Sequence, residues 1–175
     1  MQNLLAVSAM GANRAGLVEP ILRAIRECGC AIVESRMAVL GDRFMMMLLL
    51  GGSWDTIAKI ESMLPRVEQE LGITMVTQRA AARPPAHDLM PYAIEVIAVE
   101  QLGIAHQIAQ FFSRRDINVE DMNSGNYSAA HTGTPMFSLH MTISIPTNIS
   151  IAAMRSDFMD FCDQHNLDAI MEPVK

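Results

Sequence analysis

Gly16 and Gly103 hold equivalent places in this chain, each just ahead of an apolar stripe with helical spacing. The stripe is Leu17, Ile21, Ile25 and Cys28 after the first glycine, and Ile104, Ile108 and Phe112 after the second. A residue without Cβ lets a ligand approach the backbone closely, and the first turn of the helix beyond it carries N–H groups with no partner inside the helix. Such a helix start suits a carboxylate, so an amino acid is a sensible ligand. The candidate binding residues are Asn13, Arg14, Ala15, Gly16 and Leu17 at the first turn, and Gln101, Leu102, Gly103 and Ile104 at the second. The plainer alternative is that both glycines only make tight turns and that Arg14 is a solvated surface charge.

Other reactive side chains suggest less chemistry. The histidines, at positions 87, 106, 131, 140 and 165, lack metal-ligand spacing. Cys28 and Cys30 could form a redox or metal pair, but no second cysteine pair or His-x₃₋₅-His completes a ligand set, and Cys162 leaves the count odd. Buried or half-buried thiols of a cytoplasmic protein are the expectation. No catalytic set, metal or cofactor is indicated. Met45-Met46-Met47 reads as core filling, with an adaptable interface as the alternative. His140 is expected on a surface or interface.

The elements that must position these residues come from an internal repeat. Gly16-Leu17-Val18, Ile21-Leu22 and Ile25 align with Gly103-Ile104-Ala105, Ile108-Ala109 and Phe112 at a constant shift, which also sets Cys30 to Glu34 on Ile117 to Asp121. Farther on, Phe44 matches Phe137, and Ile57, Ile60, Leu64 and Val67 match Ile151, Met154, Phe158 and Phe161. The second copy therefore carries extra residues, which fall in Ser124 to Pro135, a Gly/Ser/Asn/Thr-rich stretch that reads as a loop. Tyr127 and His131 there could belong to a lid or to an ordinary hairpin excursion.

In the first copy a strand is expected near Leu4 to Ala9, a turn over Gly11 to Gly16, and a helix that Pro20 tolerates in its first turn and Gly29 ends. Strands at about Ala31 to Val39 and Arg43 to Leu50 join through Gly41-Asp42. Ser53 caps a second helix with Trp54, Ile57, Leu64, Val67 and Leu71 as its apolar stripe, and Pro65 is expected to kink it. Gly72 stops that helix before a last strand, Ile73 to Thr77. The second copy repeats the order, with clean alternation over Tyr92 to Val96 and over Phe137 to Ile145. The expected fold is α+β: two ferredoxin-like βαββαβ domains, 1–79 and 92–175, with antiparallel sheets and helices on one face, joined by an 80–91 linker. Right-handed crossovers put the first and third strands in the middle of each sheet.

Charge excludes some functions. The chain has a net charge of −6. Up to Arg83 the balance is nine Lys/Arg against eight Asp/Glu; beyond it, four against eleven. Neither half clusters cations as phosphate binding requires, so direct DNA or RNA binding is not expected. No run is long enough to span a bilayer. Met1 to Leu5 lacks the basic start of a secretory signal, which fits a cytoplasmic location.

Asn13-Arg14-Ala15-Gly16-Leu17, followed after the helix by Cys28-Gly29-Cys30-Ala31-Ile32, resembles the turn and helix-exit pattern of ACT domains. Two such modules, the first continuing as Phe44-Met45-Met46-Met47-Leu48-Leu49-Leu50-Gly51-Gly52-Ser53-Trp54, resemble the glycine cleavage system transcriptional repressor family over nearly the whole chain. The resemblance implies a bacterial regulator without its own DNA-binding domain, which responds to glycine and modulates a separate transcriptional activator. It also implies Asn118 as a ligand-binding residue, since an Asn commonly follows the first ACT helix; Ala31 stands there in the first copy. The family's usual Asp-Arg-Pro-Gly turn is Asn13-Arg14-Ala15-Gly16 in one copy and Glu100-Gln101-Leu102-Gly103 in the other, which leaves open a lost or altered ligand in one module.

Two further readings stand beside this one within the fold: an ACT protein that regulates an amino-acid metabolic enzyme, and an acylphosphatase-like catalyst. The catalyst would need an Arg and an Asn in one module, whereas Arg14 is paired with Ala31 and Asn118 with Gln101. An RNA-binding module would stack bases on strand aromatics, which are scarce here. Homo-oligomerisation through exposed sheet edges is open to such a fold.

Overall fold

The computed structural model describes residues 3–84 and 88–174. The chain divides into two compact units, Met1–Pro84 and Pro85–Lys175. The first contains β1 (Asn3–Ala12), α1 (Val18–Cys28), β2 (Ala31–Leu40), β3 (Arg43–Gly52), α2 (Trp54–Leu71) and β4 (Thr74–Ala80). The second contains β5 (Leu89–Val99), α3 (Ile104–Ser113), β6 (Asn118–Ser128), β7 (Pro135–Pro146), α4 (Ile151–Gln164) and β8 (Asp168–Pro173). His87 lies outside the described residues.

Each unit is a four-stranded antiparallel sheet, ordered β2-β3-β1-β4 and β6-β7-β5-β8. The first and third strands are central, as the crossover rule requires. In the first unit Leu5, Val7 and Ala9 of β1 and Phe44, Met46, Leu48 and Leu50 of β3 meet Ile21 and Ile25 of α1 and Ile57, Ile60 and Leu64 of α2. The second core joins Ile94 and Val96, Leu139 to Ile145 in alternation, and Ile108, Phe112 and Phe158. Among the described residues no buried residue is polar or charged, so both cores are held by apolar burial alone.

Several local expectations need correction. Gly11 and Ala12 are not turn residues: β1 continues through them, pairing Gly11 with Phe44 and Ala12 with Arg43. A Cβ on Gly11 would lie 2.5 Å from the Ile73 side chain, so glycine is needed there for close packing rather than for a turn. Trp54, the first residue of α2, is 65% exposed and leaves the apolar stripe of that helix. α2 contains Pro65 inside its Trp54–Leu71 span, with Ile57, Ile60, Leu64 and Val67 buried on its inner face; that packing offsets the cost of a proline in a helix interior. Ser124 to Ser128 belong to β6 rather than to a loop. They stay in register with β7 from Leu139 to Pro135, and only residues 129–134 turn. β5 begins at Leu89, before the alternation at Tyr92 becomes visible.

The sheet faces away from the helices differ. In the first unit this face presents Met10, Met47 and Val76, all exposed. Met46 points into the core, so the three consecutive methionines divide by strand alternation. In the second unit the outer face carries Glu95 and His140, 3.7 Å apart, where alternation places His140.

Candidate functional site

Both turn glycines have backbone conformations that favour glycine: φ is 86° at Gly16 and 91° at Gly103. A Cβ on either would meet nothing within 4 Å. Open space, with no side-chain cap over either helix start, therefore lies beside both turns. The surroundings of the two turns are not equivalent.

In the first unit the chain after β1 is tied in place by the Asn13 backbone N–H, which donates to the Asp42 carbonyl in the β2–β3 turn at 2.8 Å. The Arg14 guanidinium does not wait for a ligand; Nη2 donates to the Leu71 carbonyl at 2.6 Å, at the C-terminal end of α2. A cation there complements the exposed carbonyls of a helix end. Leu17 is buried and serves the core. Glu19 places a carboxylate in the first turn of α1, and Pro20 removes an N–H from it. Both features work against anion binding at this helix start.

In the second unit Gly103 is itself the residue preceding the first turn of α3, and that turn holds no acidic residue. The Gln107 N–H closes the first intrahelical bond on the Gly103 carbonyl at 2.9 Å, leaving Ile104, Ala105 and His106 as the free-donor turn. Leu102 is fully exposed, and Ile104 is buried in the core. The turn is braced from the hairpin: the Glu100 N–H donates to the Pro135 carbonyl at 2.9 Å, and Asn126 Nδ2 donates to Glu100 Oε1 at 2.5 Å. Sequence reasoning missed Asn126 and Glu100, because only the register of the long β6–β7 hairpin brings them together. Tyr127 pairs with Met136 in that hairpin.

Asn118 does not join Gln101 to Ile104 within its unit. It pairs with Ser144, which pairs with Pro91, whereas the turn follows Val99. Eight residues of strand separate those levels, about 26 Å at the usual rise of a strand. Asn118 instead donates from Nδ2 to Glu120 Oε1 at 2.9 Å. Among the described residues no group of three or more His, Cys, Asp or Glu could hold a metal ion, and no helix is long and apolar enough to cross a membrane.

Comparison with known proteins agrees with this fold. Residues 3–78 match the model of the ACT domain family. The glycine cleavage system transcriptional repressor of Escherichia coli strain K12 is 32% identical over 99% of this chain and 91% of its own length. A crystal structure of a protein provisionally designated a glycine cleavage system transcriptional repressor superposes with TM-score 0.76 at 20% identity, covering 100% of this chain and 99% of that one. An unknown protein from Galdieria sulphuraria gives TM-score 0.80 at 21% identity, with both chains wholly covered. The two structures share the tandem fold, and the sequence identity to the Escherichia coli protein places this chain in the glycine cleavage system transcriptional repressor family.

Proposed function

We propose that this protein is an amino-acid-responsive regulator of glycine cleavage genes, with glycine as its first candidate ligand, acting through a transcriptional activator rather than on DNA. The observation that carries the reading is the turn at Gln101, Leu102, Gly103 and Ile104. It joins a left-handed glycine, open space and an uncapped helix start free of acidic side chains, a setting that suits a ligand carboxylate. The first turn, from Asn13 to Leu17, is the weaker site because Arg14 is spent on Leu71 and the first turn of α1 carries the acidic Glu19. Asn118 is too distant to hold the same small ligand within its unit. The relative's name supports repression as the output, and the acidic balance of the second unit supports a protein partner over nucleic acid. A regulator needs no catalytic set, and we infer none.

The test is calorimetric titration of the full chain with glycine and with other amino acids, on wild type and on Gly103→Asn. Asn tolerates the left-handed conformation, so this variant keeps the backbone while filling the open space. Saturable binding weakened at least tenfold in Gly103→Asn is the expected result; undiminished binding would remove the turn as the site. In cells, glycine cleavage transcripts should rise when the gene is deleted, while the purified chain alone should fail to retard operator DNA.

A further inference from the structure

The second unit carries a polar groove between its two helices. Gln107, Gln110, Phe111 and Arg114 lie on α3 and its C-cap at i, i+3, i+4 and i+7, one stripe of a helix. Asp157, Asp160, Phe161 and Gln164 repeat the same spacing on α4. The two stripes face each other across a cavity of about 400 Å³, within the range of small-molecule sites. Its floor is the pair Phe111 and Phe161, with ring centroids 5.0 Å apart.

The internal repeat shows what opened it. The repeat sets Ala24 and Val67 where Phe111 and Phe161 stand in the second unit, and α1 and α2 approach each other more closely than α3 and α4 do. Cys28 Sγ and Met63 Sδ touch at 3.7 Å across α1 and α2. The matching positions are Arg115 and Asp157, which form an ion pair at 3.7 Å. An apolar contact in one copy has become a charged wall in the other. Arg115 is further fixed over the Phe111 ring, 3.8 Å from its centroid, and donates to the Phe111 carbonyl at 3.1 Å.

Among the described residues, the side chains of Gln107, Gln110, Arg114, Asp160 and Gln164 on this groove make no hydrogen bond or ion pair. Gln107 Oε1 is a buried acceptor without a hydrogen-bond partner among the described residues, and such an atom calls for a donor. Neither the Arg114 guanidinium nor the Asp160 carboxylate makes an ion pair among the described residues. The first copy differs here too: Arg66, which matches Asp160, is satisfied by Glu70 at 2.7 Å, whereas the residue four beyond Asp160 is the neutral Gln164.

With Arg114 and Arg115 balanced by Asp157 and Asp160, the groove has no net charge and favours neither a simple anion nor a simple cation. It presents one free cation, one free anion and one buried free acceptor, beside the exposed amides of Gln110 and Gln164; the cation, anion and buried acceptor are the complement of a molecule with a carboxylate, an ammonium and a spare N–H. We propose that the α3–α4 groove is a second small-molecule site, separate from the Gly103 turn, which takes a free zwitterionic amino acid. Arg114 holds the carboxylate, Asp160 the ammonium, and Gln107 Oε1 accepts from a remaining N–H.

The test titrates the full chain with glycine, L-serine and L-glutamine by calorimetry, on wild type, Arg114→Gln, Asp160→Asn and Gly103→Asn. All three substitutions are at exposed positions, and thermal melts check that each variant folds. The expected result is a second saturable event, distinct from the one that Gly103→Asn weakens, which Arg114→Gln and Asp160→Asn each weaken at least tenfold and Gly103→Asn leaves unchanged. Groove variants that keep every saturable event of the wild type at full strength overturn the proposal, as does a wild type that shows no event beyond the one Gly103→Asn weakens, or the absence of binding by all three probes. Hydrogen exchange gives an independent reading: the ligand should slow exchange in residues 107–115 and 157–164, and protection confined to residues 101–106 would also overturn it.

Discussion

At the scale of single residues, the ionisable groups report local surroundings rather than a catalytic centre. Arg79 donates to both carboxylate oxygens of Glu61, at 2.7 and 2.6 Å. That hydrogen-bonded pairing holds the Glu61 carboxyl below its usual range. A depressed carboxyl contributes stability above its unfolded pKa, and loses it as pH falls through the folded value. Glu61→Gln should therefore flatten the acid side of the stability profile below about pH 4.5, an ordinary Glu value; melts at pH 7 and pH 3 that fall equally in both proteins would contradict this. Burial pushes the Cys162 thiol up to about 12 and raises Cys28 as well. Thiolates are the reactive form, so iodoacetamide at pH 8 should label the half-buried Cys30 first. Mass spectrometry finding early label on Cys162 would show that the α4 face opens readily. Little of this was legible beforehand. Arg14 looked available because nothing local hints that Leu71, fifty-seven residues away, would offer it a carbonyl.

The elements were far more legible, because periodicity and punctuation are local signals. Gly29 and Gly72 end α1 and α2 in left-handed conformations, and Ser53 accepts from the Thr56 N–H as its position before the stripe suggested. Misjudged features depended on pairing across the sheet. Gly11 looked like a turn residue until the ladder to Phe44 was laid down, and Ser124 to Ser128 looked like a loop because polar residues suit a strand with little to bury. Two caps allow a comparison between elements. Ser53→Ala and Ser150→Ala each remove a side-chain acceptor from a helix start, at 3.2 and 3.4 Å. Each should cost about 1 kcal/mol, a fall in melting temperature of roughly 4–8 °C for a domain of this size. Hydrogen exchange should show the faster amides in the first turn of α2 or of α4 only, and a loss spread over the whole unit would mean that the serine does more than cap.

At the scale of the molecule, the duplicated core decides what can be removed. Each unit owns a complete four-stranded sheet, two helices and an apolar cluster built from its own residues. A chain of eighty-odd residues buries enough surface to fold without disulfides, though with a modest margin, and here the cysteines are free. Residues 1–84 and 85–175, expressed separately, should therefore each unfold cooperatively in urea. The second core concentrates its stability in rings: Phe111, Phe112 and Phe158 lie with centroids 5.1 to 5.3 Å apart. Truncating a buried phenylalanine typically costs about 3–5 kcal/mol, comparable with the whole stability of a small domain. Phe158→Ala should then leave the 85–175 fragment largely unfolded, while the same substitution in the full chain spares the circular dichroism signal of a folded first unit. A fragment 1–84 that binds hydrophobic dyes and melts without a transition would refute self-sufficiency. It would mean that the exposed Met10, Met47 and Val76 face needs a cover before the first unit can hold its shape.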